Sequence, residues 1–181
     1  MDKLEQKVLD FATKAHEGQV RKYTGEPYIT HCIEVANIVK TVKDVTPEMI
    51  FSAYFHDVLE DTDTTENNII EFFKNQIEIY VNPLEIIEIV KSLTNNSELE
   101  TRAERKEEYK NKLTKSSNKA KTVKLADIIS NISTVVKQDR DFALKYVPEK
   151  IDLLKVLKEG DDKLYRRACY EVYKAELELG I

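Results

Sequence analysis

Glycine and proline are scarce in this chain, four of each in 181 residues, and no Gly/Ser-rich or Pro-rich linker, repeat or low-complexity tract appears. So little punctuation favours long helices. Tryptophan is absent, and the two cysteines, Cys32 and Cys169, lie too far apart in sequence for a CxxC pair or a disulfide framework. That usage points to a reducing cytoplasm. No apolar run approaches the roughly 18 residues of a membrane span. The opening MDKLEQKVLDFATKAHEG lacks the continuous apolar core of a secretory signal. Positive charge is also in deficit, 28 Lys and Arg against 33 Asp and Glu. A net charge of −5 argues against general nucleic-acid binding and gives no reason to invoke anionic membranes. What is present is 41% hydrophobic and 34% charged residues, in a length that suits one domain over 1–181 and hardly two.

Apolar periodicity places the helices. Leu4, Val8, Phe11, Ala12 and Ala15 recur at helical spacing over 3–17, and Ile33, Val35, Ala36, Ile38 and Val39 over a helix from about His31 to Lys43. Thr46 and Pro47 form an N-cap and first helical residue ahead of Ile50, Phe51, Ala53 and Tyr54. Thr64 or Thr65 caps a helix through Phe73, and Pro83 repeats the proline start. Further helices are expected over 101–113, 118–138, 148–158 and 162–178. The best strand candidate is IEIYV at 77–81, and it is short. The expected fold is all-α.

The stretch SAYFHDVLEDTDTTE, residues 52–66, carries the chemistry. A histidine and several carboxylates crowded at the end of an apolar helix repel or stay unsatisfied unless a cation is held among them. On a continuous helix Glu60 stacks one turn after His56, and Asp61 one turn after Asp57. The other histidines are His16 and His31, the latter following the GEPYIT turn. Asp127, set among Leu125, Ala126, Ile128 and Ile129, is a carboxylate that needs a partner. His31, His56, Asp57 and Asp127 make a mixed nitrogen and oxygen set suited to Mn²⁺, Fe²⁺ or Zn²⁺. Each also has a plainer reading. A His–Asp dipeptide can be a solvated helix end, Asp127 a cap or a partner for Lys124, His16 an organiser of its loop, and Cys32 a small core residue. Residues 101–124 hold nine Lys and Arg against three Glu. This run is either a solvated face or, with Arg21 and Lys22, a means of steering a polyphosphate.

AHEGQVRKYTGEPYITH, FHDVLEDT and VKLADIISN together resemble, in order, the hydrolase domain of RelA/SpoT-type proteins, an HD-superfamily domain, over most of residues 1–140. The length suggests a stand-alone small alarmone hydrolase without synthetase or regulatory regions. The resemblance implies an all-helical Mn²⁺ enzyme that removes the 3′-pyrophosphate of (p)ppGpp to give GDP or GTP and pyrophosphate. It makes His31, His56, Asp57 and Asp127 the metal ligands and sets Glu60 and Asp61 beside the attacking water. Arg21, Lys22 and Thr24, with Asn131 and Thr134, match nucleotide-contacting positions. Three departures stand out: the Gln19–Gly25 loop is one residue longer than the common form, Cys32 replaces a proline, and Ile128 and Ser130 replace Arg and His. Another nucleotide, such as (p)ppApp or NADPH, and a non-catalytic nucleotide-binding module remain alternatives.

Overall fold

Caps and prolines set where the helices begin. The computed structural model describes residues 2–76, 80–95 and 100–181. Its helices fall into two compact units, Met1–Asn96 and Ser97–Ile181.

The first unit holds α1 (Lys3–Ala15), α2 (Ile29–Val39), α3 (Pro47–Phe55), α4 (Val58–Asp61), α5 (Glu66–Lys74) and α6 (Pro83–Leu93). Pro47 and Pro83 occupy first-turn positions, where a missing N–H costs nothing. Thr65, of the two candidate caps, accepts from the Asn68 N–H and closes a capping box. Helix α3 packs against α1, α2 and α6. It is apolar on all sides because it lies in the interior, with Phe51, Ala53, Tyr54 and Phe55 at 2% exposure or less. Phe11 meets Phe55 and Phe72 at ring distances of 5.5 and 4.9 Å, binding α1 to α3 and α5. Truncating Phe55 to Ala would cost about 3–5 kcal/mol.

The second unit holds α7 (Arg102–Lys115), α8 (Asn118–Gln138), α9 (Arg140–Leu154) and α10 (Asp162–Leu179). Helices α8, α9 and α10 pack pairwise on one another. Val123, Leu125, Ala126, Ile128 and Ile132 of α8 are at most 1% exposed. Gly160 is required before α10, since a Cβ there would lie 2.8 Å from Leu125 Cδ1 and 3.1 Å from the Thr122 backbone nitrogen.

Three local expectations are corrected. Helix α2 ends at Val39, not Lys43, and α9 runs over 140–154 where periodicity suggested 148–158. Asp139 starts α9 by accepting from the Phe142 N–H. Pro148 is carried inside it, where the ring removes the backbone bond to the carbonyl of Leu144, a residue exposed at 40%. The run from His56 to Asp61 is not one continuous helix either, because the chain turns at residues 56–57 between α3 and α4. His56 is therefore buried while Glu60 is exposed. The strand candidate at 77–81 lies mainly outside the described residues; Tyr80 and Val81 form no strand.

Candidate active site

The turn between α3 and α4 is what aims His56 and Asp57. Asp57 caps α4, its carbonyl accepting from Asp61 N at 2.8 Å. His56, at the C-cap of α3, bonds through Nδ1 to the Ala53 carbonyl at 2.8 Å. A carbonyl can only accept, so Nδ1 carries a proton, and in the neutral ring Nε2 then presents the lone pair. That lone pair lies 3.2 Å from His31 Nε2 and 3.0 Å from Asp57 Oδ2. His31 Nε2 is 3.9 Å from the same carboxylate oxygen. His31 reaches this point because α2 packs against α3. Two imidazoles of 2% exposure and a carboxylate thus bring their donor atoms together, a set suited to a divalent cation.

Tyr28, which sequence reasoning passed over, completes the arrangement. Its hydroxyl donates to Asp57 Oδ2 at 2.5 Å, and its ring lies 4.9 Å from His16 and 5.7 Å from His31. Burial, then the Asp57 charge, pushes the Tyr28 hydroxyl well above its ordinary range, so it remains a donor. A bond of this kind fixes a ligand's orientation. The available signal was Tyr28's place between Pro27 and His31.

The acids of α4 have separate environments. Glu60 accepts from the Asn95 backbone N–H at 2.8 Å and from its side-chain amide at 2.9 Å, a contact with no sequence signal. Although Asp61 is exposed as a residue, desolvation by its surroundings, then the Asp57 and Glu60 charges, raises its carboxyl to about 6. A second support comes from the AHEGQ segment. His16 Nδ1 lies 2.7 Å from Gln19 Oε1, and Gln19 Nε2 donates to the Asp61 carbonyl at 2.6 Å. Gly18, at φ +80°, permits this reversal, so His16 organises its loop.

In the 20–25 loop Arg21 N bonds to the Glu26 carbonyl and Gly25 N to the Arg21 carbonyl, at 2.8 and 3.0 Å. The Arg21 guanidinium meets Glu34 at 3.4 Å, and Lys22 Nζ lies 4.8 Å from the Tyr23 ring centre. Thr24 is exposed and accepts from Glu26 N at 3.4 Å. Cys32 is fully buried.

Within the second unit, Asp127 is 6% exposed. Its Oδ2 pairs with Lys124 Nζ at 2.8 Å and its Oδ1 accepts from Asn131 at 2.6 Å. Thr134 lies half-buried further along α8. Burial pulls the Lys124 ammonium down, but Asp127 and Tyr109 more than offset this and hold it well above its usual range. Much of the basic run is structural. Arg102 and Lys106 pair with Glu149, Lys110 with Asp152, and Lys121 with Glu159.

A family model described as HD domain matches residues 8–153, a span that runs through both units. The guanosine-3′,5′-bis(diphosphate) 3′-pyrophosphohydrolase of Aquifex aeolicus is 31% identical over 132 residues, 72% of this chain and 17% of that protein. The enzyme of that name from Mus musculus, MESH1, is 35% identical over 125 residues, 68% of this chain and 64% of that protein. The chain therefore spans less than two thirds of either relative. A solved structure described as a metazoan SpoT orthologue that hydrolyses ppGpp superimposes with a TM-score of 0.83 at 23% identity, covering 96% of each chain. That likeness is one of fold.

Proposed function

We propose, from the premise that this chain belongs to the HD-domain family, that it is a metal-dependent hydrolase removing the 3′-pyrophosphate of (p)ppGpp. The observation that carries the reading is the meeting of His31, His56 and Asp57 donor atoms beside a carboxyl group raised to about 6. The names of the curated relatives support the substrate.

In this reading His31, His56, Asp57 and Asp127 hold a divalent cation, Mn²⁺ by the resemblance. Such a cation supplies a lowered pKa for water and polarises a phosphoryl oxygen. Asp61 accepts the proton of the attacking water, whose oxygen bonds to the phosphorus at the 3′ position. The 3′ oxygen leaves with a proton, giving GDP or GTP and pyrophosphate. Glu60, held by Asn95, orients the water. Tyr28 keeps Asp57 in register, and Lys124 and Asn131 do the same for Asp127. Arg21, Lys22 and Thr24, with Asn131 and Thr134, contact the nucleotide. The two units work as one HD domain over 1–181, a reading supported by a family match that crosses both. We place the chain in the cytoplasm on its sparse cysteine usage, two residues far apart in the sequence. No helix of the described residues is long and apolar enough to cross a membrane.

The test is pyrophosphate release from ppGpp and ppApp, and phosphate release from NADPH, by the Mn²⁺-loaded protein, with metal content measured on the same sample. Preferential release from ppGpp is expected. Faster turnover of another nucleotide would reassign the substrate, and tight ppGpp binding without release from a loaded protein would overturn the catalytic reading.

A further inference from the structure

Every polar group of Gln19 is engaged, and together they tie the AHEGQ loop to both ends of α4. Its backbone N–H donates to the His16 carbonyl at 3.0 Å, and its carbonyl accepts from Tyr28 N at 2.9 Å. Tyr28 in turn holds Asp57, the N-cap of α4. The Gln19 side chain reaches the other end, where Nε2 donates to the carbonyl of Asp61, the last residue of α4. A helix of four residues is a single turn, too short to be stable alone, and its terminal carbonyls have no partner within it. Its position is set from outside.

His16 decides which way the Gln19 amide faces. The two ends of an amide have nearly the same shape, so only its partners fix its orientation. With Nε2 committed to the Asp61 carbonyl, Oε1 faces His16 Nδ1 across 2.7 Å, and Nδ1 carries the proton between them. The other ring nitrogen, Nε2, is buried and has no hydrogen-bond partner among the described residues. The polar work of this imidazole therefore falls on Nδ1. The ring is 3% exposed and packs 4.9 Å from Tyr28, which fixes the donor in place. Without that donor Gln19 Oε1 loses its partner and the amide is free to turn away from α4.

We propose that His16 is a positioning residue for Asp61, acting through the Gln19 amide. This rests on the reading of Asp61 as the acceptor of the water proton. Such an acceptor must stay within hydrogen-bond reach of the water it serves, and a misplacement of about 1 Å can cost about a hundredfold in rate. The backbone bonds of Gln19 do not depend on the His16 ring, and the Tyr28 hydroxyl holds Asp57 directly. Glu60 has its own hold in Asn95. The relay therefore bears on Asp61 and leaves the metal ligands where they are.

Steady-state kinetics with metal analysis of the Mn²⁺-loaded full chain tests this, each variant being checked for helical content by circular dichroism. His16→Phe keeps a ring and deletes the donor; Gln19→Met deletes both side-chain bonds and carries the test if His16→Phe does not fold. Each should lower kcat for ppGpp about 10–100-fold, with KM and bound metal within about twofold of wild type. The double variant should lose no more than either single one, because both break one relay. His16→Asn sets an amide N–H where Nδ1 stood and should recover kcat to within about threefold of wild type. A substrate-free measurement is hydrogen exchange of the Glu60 and Asp61 amides, both bonded to the Asp57 carbonyl. It should quicken about three- to tenfold in His16→Phe and Gln19→Met but not in His16→Asn. Wild-type kcat or wild-type exchange in folded His16→Phe and Gln19→Met overturns the inference. So does a loss in His16→Asn as large as in His16→Phe, which would move the role to Nε2. A wild-type chain that releases no pyrophosphate refutes the hydrolase reading instead, and amide exchange then decides the relay.

Discussion

The turn after α3 and the basic region of α7 and α8 treat buried polar groups in opposite ways. In the second region opposites meet. Lys121, 2% exposed, pairs with Glu159, and Lys124 with Asp127. In the first, like donors meet. His31 and His56 point Nε2 at one another across 3.2 Å, with Asp57 Oδ2 3.0 Å from His56 Nε2. The first unit does pair charges elsewhere, as Lys40 does with Glu5 at 2.5 Å. Converging lone pairs cost stability in an interior unless a proton or metal ion sits between them. The lesson is that an ion pair such as Lys121–Glu159 marks architecture, while buried donors aimed at each other mark a site for a cation.

The comparison breaks most decisively at His56. His56→Ala removes one donor and the bond to Ala53, so metal content should fall to background and ppGpp hydrolysis by at least about a thousandfold. Elemental analysis beside a hydrolysis assay checks both. Retained metal with full turnover would refute the donor set. Asp61→Asn comes next, with an expected loss of about a hundred- to ten-thousandfold in kcat and metal retained. Asp61 must be ionised to accept a proton, so the acid limb of the wild-type pH–rate profile should lie at or below about 6, lower when a cation is bound. Stability moves the other way. A carboxyl whose folded pKa is raised from 3.8 to about 6 is destabilising once ionised, a cost that is absent at low pH and grows as pH rises through that window. Asp61→Asn should therefore raise Tm of the metal-free protein at pH 7, and an unchanged or lower Tm would count against the crowding of Asp61 by Asp57 and Glu60.

Legibility followed the range of the interactions. The bounds of α8, the proline starts of α3 and α6 and the adjacency of the His56 and Asp57 donors could be read locally, because caps, periodicity and neighbouring positions are local. The meeting of His31 with His56 depends on α2 packing against α3; the donor types suggested it and the family resemblance implied it, but no local signal carries the packing itself. Helical spacing misjudged 56–61 because the chain breaks at His56 and Asp57, the very residues whose donor atoms converge. The hold of Asn95 on Glu60 spans 35 positions and left no mark on either segment. Tyr28 and Gln19 stood inside a recognisable motif, yet their tasks, holding Asp57 Oδ2 and the Asp61 carbonyl, become visible only in three dimensions.

Tyr28→Phe sharpens the contrast at intermediate size. It keeps the ring against His16 and His31 and deletes only the hydroxyl that orients Asp57. Metal affinity or turnover should fall about 10–100-fold, the range for partners that hold a ligand in place. A metal titration with the hydrolysis assay reads it, and wild-type values in both would reduce Tyr28 to packing.

The smallest effect belongs to the other region. Lys121 lies buried beneath an exposed Glu159 and also donates to the Thr114 carbonyl at 3.2 Å. If this pair is architecture, a residue of similar volume can replace it, because the Coulomb gain of a buried pair roughly offsets the cost of desolvating it. Lys121→Met should change unfolding free energy by no more than about 1–2 kcal/mol and leave hydrolysis and metal content unaltered. Glu159→Ala should cost about as much or more, since it leaves the buried ammonium with only a carbonyl. Urea unfolding of both variants beside His56→Ala places the regions on one scale. A loss of activity in folded Lys121→Met would show that this pair supports the site that Asp127 serves, and would end its reading as scaffold alone.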